Sequence, residues 1–197
     1  MKRLAPSARR GSSAPLGAGF FRRPAIDVAR DLLGTILVRR YLNRELRCRI
    51  VETEAYVGPH DLACHASRGR TKRTEVMFGP GGHAYVYLIY GIHDMFNIVS
   101  GDAGDPQAVL VRAAEPVGWK ADLSGPGKLT RALRITRSLN GMDLTGEALF
   151  LLDDPDYEPS IVQSRRIGVD YAKEWKDAML RFLDARSAAV SKPAQTS

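Results

Sequence analysis

The chain has 197 residues, of which 44% are hydrophobic and 26% charged, so it can bury the core of one domain and is too apolar to be wholly disordered. Its 29 Lys and Arg residues outnumber its 22 Asp and Glu residues, and the net charge of +7 favours a polyanionic partner, nucleic acid before an anionic membrane surface. Two cysteines are too few for a disulfide scaffold, and no apolar stretch suits a membrane span or a secretory signal, so we expect an intracellular protein without membrane contact.

The two ends of the chain differ in composition from its middle. Residues 1–19 are rich in Ala, Ser, Gly, Pro and Arg and contain no acidic residue, which predicts a mobile basic arm. Residues 187–197 predict a frayed polar tail. No linker or internal repeat divides the stretch between them, so we expect one folded domain over residues 20–186.

Two helices are predicted from local signals. Pro24 suits the first turn of a helix that ends at Gly34. A second helix is expected over residues 129–136, where Leu129 and Leu133 are one turn apart. Residues 171–182 fit either a helix or a loop followed by a strand, and both alternatives stay open.

Runs of β-forming residues separated by turn signals predict six strands. The fifth is expected to end before Pro116. The six runs cover residues 35–40, 48–57, 84–90, 96–100, 108–113 and 150–152. Many strands with short connections favour a mixed α/β (α+β) fold, a single domain around a mainly antiparallel curved β-sheet with flanking helices.

The second predicted strand carries two carboxylates. Because side chains alternate along a strand, Glu52, Glu54 and Tyr56 share one face. This face is either a solvated sheet surface or a site in which a carboxylate takes a proton from water as a general base.

Three tyrosines lie in the third predicted strand. Tyr85 and Tyr87 point to one face, and Tyr90 points to the other, where the chain turns at Gly91. Strand aromatics are ordinarily core residues. Flat rings around a cavity would also suit an unstacked base, and an aromatic at a hairpin tip could fill the gap that the base leaves in a duplex.

The loop between these two strands is strongly basic. Four cations, Arg68, Arg70, Lys72 and Arg73, stand within six residues, either as a solvated charge run or as contacts to phosphates. His60, Cys64 and His65 lack the second ligand pair of a zinc site, so no metal is expected.

Several motifs together resemble the methylpurine-DNA glycosylase family, also called the alkyladenine or 3-methyladenine DNA glycosylases. The resemblance covers nearly all of residues 20–182 in order. Its pieces are Arg49-Ile-Val-Glu-Thr-Glu-Ala-Tyr56, Asp61-x-x-x-His65, Met77-Phe78, Tyr85-Val-Tyr-Leu-Ile-Tyr-Gly91, Asn97, Val109-Leu-Val-Arg-Ala-Ala-Glu-Pro116, Ser124-Gly-Pro-Gly-Lys-Leu129, Arg166-Ile-Gly-Val169 and Glu174-Trp175.

The resemblance implies a monofunctional enzyme that flips damaged purines out of double-stranded DNA and hydrolyses the N-glycosidic bond without a metal or organic cofactor. It implies that Glu54 activates water and that Arg112, with a backbone carbonyl near Ile167 or Gly168, helps to hold it. It implies that Tyr56, His65, Tyr87 and Asn97 surround the flipped base and that Tyr90 is the wedge. Apart from the resemblance, we expect contacts to the DNA backbone from Arg68, Arg70, Lys72, Arg73 and His93. We expect a monomer.

The hairpin after Tyr90 departs from the family pattern. The family usually has Met, an aromatic or His, an aromatic, and Cys where this chain has Ile92, His93, Asp94 and Met95. An acid at Asp94 would repel phosphate if it faced DNA.

Two other functions compete with a glycosylase. One is a non-catalytic module that binds damaged or single-stranded DNA through the basic arm and the tyrosines. The other is a hydrolase of free nucleosides or sugars that uses Glu52 and Glu54 as a carboxylate pair. Base release from duplex DNA would distinguish the glycosylase from both.

Overall fold

A computed structural model describes residues 15–194, in which the chain forms an antiparallel sheet of eight strands and three short α-helices. The strands are β1 (Ile36–Tyr41), β2 (Arg44–Tyr56), β3 (Ala84–Ile89), β4 (His93–Ser100), β5 (Gln107–Val117), β6 (Leu149–Leu152), β7 (Ile161–Ser164) and β8 (Arg181–Asp184). The helices are α1 (Ala18–Phe21), α2 (Ala25–Asp31) and α3 (Pro126–Ala132), and 3₁₀ turns lie at His65–Arg68, Glu75–Phe78, Arg137–Leu139 and Lys173–Asp177. The predicted mixed α/β fold, mainly an antiparallel curved sheet in a single domain, is confirmed.

Strand β2 is the organising element of the sheet. The strand order is β3-β4-β5-β2-β1-β6, and β8 pairs with both β2 and β7. Strand β5 lies along one edge of β2. The other edge is shared, because β1 pairs with Arg44–Arg49 and β8 pairs with Glu52–Glu54. The second half of β2 therefore lies between β5 and a strand from much later in the chain.

Most predicted elements are present with shifted ends. Helix α2 begins after Pro24, and Gly34 follows it with a left-handed φ of 86°. The second predicted helix lies three residues earlier than expected, as α3. Residues 171–182, for which a helix and a loop followed by a strand were both considered, contain a 3₁₀ turn and the start of strand β8.

The predicted end of the fifth strand is wrong, because β5 continues through Pro116 to Val117. The ladder with β4 covers only Gln107–Leu110, so Pro116 has a strand neighbour on the β2 side, where it lies opposite Cys48. A proline can join a strand where its missing N–H is not needed by a second neighbour. Strand β7 was not predicted.

The main core lies on the face of the sheet that α2 covers. Val28 and Ala29 of the helix are fully buried with Ile50 and Ala55 of β2. The hydroxyl of Thr53 donates a hydrogen bond of 2.8 Å to the carbonyl of Ala29. The opposite face of β2 and β5 is thereby left for polar side chains.

Both ends of the described chain contact the sheet. Leu16 N–H donates to the Leu151 carbonyl (2.8 Å), although residues 15–19 fall within the predicted arm. In the predicted tail, the Ser187 hydroxyl donates to Glu115 and Ser191 donates to Glu52. Residues 1–14 of the arm and 195–197 of the tail lie outside the described residues, and the boundaries at 20 and 186 stay predictions. Within residues 15–194, no helix is long and apolar enough to cross a membrane.

Candidate active site

An irregularity in the pairing of β2 with β5 shapes the polar face. The register shifts on both sides of Glu52, so that Val51 and Arg112 have no partner in the ladder. Such bulges bend a strand and re-aim its side chains. Ile50 and Ala55 consequently both join the main core, although their spacing of five positions would place them on opposite faces of a regular strand. The shift brings the Arg112 side chain to the two glutamates of β2.

Glu54 is fully buried and has a donor at each oxygen. The hydroxyl of Tyr56 (2.9 Å) and Nη1 of Arg112 (3.3 Å) donate to Oε2, and the backbone N–H of Ile167 donates to Oε1 (2.8 Å). These four residues, Glu54, Tyr56, Arg112 and Ile167, form what we call the cavity floor. The alternative of a solvated carboxylate face is wrong, because Glu52 and Glu54 are both inaccessible to solvent.

The protonation of the floor follows from burial and charge. Burial alone would lower the pKa of Arg112, but the facing carboxylates of Glu54 and Glu52 outweigh it and raise the pKa. Burial, with the nearby Glu54, raises the pKa of Tyr56 well above its usual value. Arg112 is therefore a cation and Tyr56 a neutral donor at physiological pH, as a carboxylate partner requires.

Glu52 has a different environment from Glu54. It accepts hydrogen bonds from Arg112 Nε (3.2 Å), Arg181 Nη1 (2.9 Å) and the hydroxyl of Ser191 (2.8 Å), all at Oε1, and from the backbone N–H of Ser191 at Oε2. Neither glutamate lines the cavity itself, so among the described residues the structure offers no open carboxylate pair for the nucleoside hydrolase alternative. Glu54 differs from Glu52 in that all three of its donors belong to residues that line the cavity.

A cavity of about 280 Å³ opens above the floor, and Tyr56, Arg112 and Ile167 line it. His65, Tyr85 and Tyr87 form its aromatic wall, with ring centroids 4.5 Å apart for His65 and Tyr87 and 5.3 Å apart for Tyr85 and Tyr87. The volume is near the lower end of the roughly 300–1,000 Å³ range of ligand pockets. The cavity suits a flat ring system.

The wall is uncharged at neutral pH. Burial, together with the guanidinium groups of Arg73 and Arg68, lowers the pKa of His65 to about 4. Its Nδ1 lies 2.9 Å from the hydroxyl of Tyr85, whose pKa burial raises to about 12. A neutral imidazole held in one orientation is a stacking surface rather than a positive charge.

Asn97 closes the cavity on the β4 side. Its side chain is 3% exposed, and its Nδ2 donates to the backbone carbonyls of Tyr85 (3.1 Å) and Met95 (3.4 Å). Both bonds fix the orientation of the amide next to the space that a ligand would occupy. Sequence reasoning missed several further lining residues, namely Cys64, Met77, Met95, Leu110, Val169 and Tyr171.

We call Tyr90, at the β3–β4 turn, and the basic loop of residues 68–73 the cavity rim. Tyr90 lines the cavity, and the loop adjoins it through Arg73, whose guanidinium lies over the Tyr87 ring. Tyr90 is 85% exposed and has a left-handed φ of 52°, followed by Gly91 with a φ of 71°. A non-glycine residue in this conformation is uncommon, and such residues often lie at functional sites. Tyr90 thus lines the same cavity as Tyr85 and Tyr87. The predicted orientation of Tyr90 toward the opposite face is wrong, because β3 ends at Ile89 and the left-handed turn takes Tyr90 out of the alternation of the strand.

One known protein family matches most of this chain. The family model described as methylpurine-DNA glycosylase (MPG) matches residues 19–188. The chain belongs to the methylpurine-DNA glycosylase family. Membership assigns it a DNA glycosylase role in DNA repair and confirms the resemblance seen in the sequence.

Similar relatives come from archaea and bacteria. A protein of Methanocella arvoryzae is 47% identical over 189 residues, covering 89% of this chain and 94% of its own. A protein of Legionella pneumophila (strain Lens) is 48% identical, covering 88% and 96%, and one of Anaeromyxobacter sp. (strain Fw109-5) is 50% identical, covering 90% and 92%. Each of these relatives bears the name "Putative 3-methyladenine DNA glycosylase".

The basic residues expected at DNA have unequal surroundings. Arg73 places its guanidinium 4.8 Å from the ring centroid of Tyr87, while Arg70 forms two hydrogen bonds with Glu75. Arg68 and Lys72 are exposed. His93 is half-buried, and its ring lies close to Gly127. A Cβ atom added to that glycine would be only 3.0 Å from the ring.

The departure from the family pattern at Asp94 and the rejected metal ligand His60 both gain a structural account. Asp94 is mostly buried and pairs with Arg137 (3.2 Å), so its charge is neutralised within the protein. His60 packs on Trp175, with ring centroids 5.4 Å apart. In the part of the chain described, no group of three or more His, Cys, Asp or Glu side chains could hold a metal ion.

Sequence reasoning missed a buried ion pair that supports the floor. Arg166 donates to Asp61 through Nη1 (2.5 Å) and Nη2 (2.9 Å), and both side chains are inaccessible to solvent. Arg166 Nη1 also donates to the Ala55 carbonyl (3.0 Å). Because Ile167 follows Arg166, this pair holds the backbone N–H that donates to Glu54. Both residues stand in the family motifs, but nothing in one sequence links two residues 105 positions apart.

Proposed function

We propose that this DNA glycosylase excises alkylated or deaminated purines from duplex DNA by hydrolysing the N-glycosidic bond, leaving an abasic site. The observation that carries the proposal is the position of Glu54, a buried carboxylate with three fixed donors beneath a cavity walled by aromatic rings. A base excision enzyme needs such a combination of a base-sized recess and a carboxylate at its floor.

Base recognition would depend on the aromatic wall. Flipping a nucleotide out of a duplex costs a few kcal/mol, and the cost is smallest for a damaged pair, so damaged bases enter most readily. A flipped purine would stack against Tyr56, His65 and Tyr87, and a cationic alkylated purine would gain about 0.5–2 kcal/mol from the tyrosine faces. Because His65 is neutral, it adds no positive charge to those of Arg73 and Arg68 near the wall. The relatives' name points to 3-methyladenine, and we include it among the proposed substrates.

Asn97 is proposed to discriminate between bases. Its amide is fixed by two backbone carbonyls, so it cannot turn away from a base that carries an exocyclic amine at the wrong position. Normal guanine would be crowded there, whereas a purine without that amine would fit.

The chemistry would be general base catalysis. Glu54 takes a proton from a water molecule, whose oxygen attacks C1′ of the deoxyribose while the C1′–N bond breaks and its electron pair leaves with the base. Arg112 orients Glu54 and the water, and the carboxylate also stabilises the positive charge that develops on the sugar. The nucleophile is water, so the reaction ends at an abasic site and needs no Schiff base, metal or organic cofactor.

The rim would hold the DNA. Tyr90 projects from the hairpin and would occupy the space that the flipped nucleotide vacates. Arg68, Arg70, Lys72, Arg73 and His93 are proposed to contact phosphates. We propose that the enzyme acts as a monomer.

Replacement of Glu54 by Gln tests the proposal. Release of hypoxanthine or an alkylated adenine from a duplex with a single lesion, followed by alkaline cleavage at the abasic site, should fall about 10²–10⁴-fold, the usual contribution of a general base. Binding to the same duplex should persist, because the amide keeps the size of the side chain. The matched control is Glu147→Gln, at an exposed carboxylate in the loop before β6.

Two results would contradict the proposal. Base release by Glu54→Gln at the parental rate would remove Glu54 from the chemistry. Tight lesion binding by the parent without any base release would favour the non-catalytic binding module instead.

A further inference from the structure

The C-terminal part of the chain reaches the cavity floor through Glu52. Ser191 donates to this fully buried carboxylate twice, from its hydroxyl to Oε1 (2.8 Å) and from its backbone N–H to Oε2. No other described residue contributes both a side-chain and a backbone donor to it. Ser191 follows Glu52 by 139 positions, so this contact is a feature of the fold and not of local sequence.

Arg112 connects Glu52 to the reacting part of the site. Its Nε donates to Glu52 (3.2 Å), and its Nη1 donates to Glu54 (3.3 Å). Because the guanidinium group is planar and rigid, the bond at Nε sets the direction in which Nη1 points. Nε of Arg112 also lies 3.4 Å from the hydroxyl oxygen of Ser191. Glu52 and Ser191 therefore fix the angle at which Arg112 meets Glu54.

A second arginine fastens the segment that carries Ser191. Arg181 is 1% exposed and donates to the carbonyls of Lys192 (3.0 Å) and Pro193 (2.8 Å) as well as to Glu52 (2.9 Å). Residues 191–193, which we call the closing segment, are thus held to Glu52 directly through Ser191 and indirectly through Arg181, which binds the carbonyls of the next two residues. Simple anchoring of a chain end would not require its donors to converge on one buried charge next to the floor.

We propose that Ser191 is a positioning residue for base excision, acting through Glu52 on Arg112. The inference rests on the proposed function of Glu54. Without the closing segment, Glu52 loses two donors and competes more strongly for the Arg112 guanidinium, which weakens the longer contact between Arg112 and Glu54. A carboxylate buried with too few donors is costly, so the group would recruit Arg112 or water.

The test compares two truncations of the full chain. Truncation after Val190 removes the closing segment, whereas truncation after Ala194 removes none of the contacts described above. The single-turnover rate of base release at saturating enzyme should fall at least about tenfold in the first variant, the equivalent of one lost hydrogen bond to a charged group. It should stay parental in the second. Binding of the lesion duplex should change less than twofold in both, because the closing segment does not line the cavity.

Point variants keep the test decisive if the shorter chain fails to fold. Ser191→Ala removes the hydroxyl donor and keeps the backbone donor, so its rate should fall about threefold to tenfold. Ser191→Thr keeps both donors and should restore the parental rate. Ser187→Ala is the matched control, because Ser187 donates to Glu115 rather than to Glu52.

The outcomes separate positioning from anchoring and from failure of the proposed function. A parental rate in Ser191→Ala and in the folded shorter chain overturns the positioning role and leaves Glu54 unaffected. Equal losses in Ser191→Ala and Ser187→Ala, with equal falls in melting temperature, also overturn it, since they indicate anchoring alone. If the parent itself releases no base, the proposed function fails and the inference fails with it.

Discussion

The floor and the rim of the cavity are built in opposite ways. On the floor, Glu54 and Arg112 are buried, and each side chain has several partners. At the rim, Tyr90 is 85% exposed, and the basic loop is largely solvated. The difference teaches that fixed contacts are concentrated around the carboxylate proposed to act in catalysis, while the surface proposed to meet DNA is left open to solvent. Groups fixed before the reaction need no reorganisation during it.

Two arginine–carboxylate pairs allow this contrast to be measured. Arg166 with Asp61 supports the floor and is fully buried, whereas Arg70 with Glu75 lies at the rim. Arg166→Met should lower the free energy of unfolding by about 3–5 kcal/mol, because it leaves a buried carboxylate unpaired. Arg70→Met should have only a small effect, since exposed pairs contribute little. Urea denaturation of both variants checks this, and equal losses would break the distinction between floor and rim.

The aromatic wall should make stability depend on pH. As the pH falls below 6.5, histidine in the unfolded chain takes up a proton, but buried His65, with a pKa of about 4, does not. The stability contributed by His65 is therefore fully present above pH 6.5 and is lost as the pH falls to about 4. The loss is about 3 kcal/mol at ~1.4 kcal/mol per pH unit.

His65→Gln checks that assignment, because glutamine cannot take up the proton. Its unfolding free energy, measured between pH 7 and pH 4, should decline less steeply than that of the parent. If the unfolding free energy of the variant declined with pH as steeply as that of the parent, the wall would be open to water, like the rim.

At the rim, function and stability should separate. Tyr90→Gly removes the exposed ring and relieves a left-handed backbone that costs a non-glycine residue about 1 kcal/mol. Stability should therefore stay within about 1 kcal/mol of the parent, because this gain offsets the greater freedom of glycine in the unfolded chain. Lesion-duplex binding should weaken about tenfold, as expected when one stacking ring is lost. Tyr90→Phe, which keeps the ring, should bind like the parent, and a parental affinity for Tyr90→Gly would exclude the wedge role.

Local patterns in the sequence were sufficient to predict where much of the site lies. Alternation along one strand predicts the shared face of Glu52, Glu54 and Tyr56, and the turn signal at Gly91 predicts the exposed hairpin tip with Tyr90. These features depend on neighbours in the chain, whose geometry is set by backbone sterics. The functional roles of these residues stay predictions.

What could not be predicted depends on contacts between distant parts of the chain. The bulge that frees Arg112 arises where β2 meets β5, and the pair of Arg166 with Asp61 joins two loops. Glu52 is enclosed in part by Ser191, 139 positions later, whereas the donors to Glu54 line the cavity. Two neighbouring glutamates look alike in sequence, and only tertiary structure distinguishes them.

The pairing of β8 with β2 has a consequence for biosynthesis. Arg181 and Glu52 are 129 positions apart, and translation delivers β2 long before its late partner. In the meantime, the nascent strand presents an edge that can pair with other chains, and contacts of such long separation form slowly. Ribosomal delivery of residues 181–191 should therefore limit how soon a newly made molecule can repair DNA, and chaperones that shield the waiting edge should raise its yield.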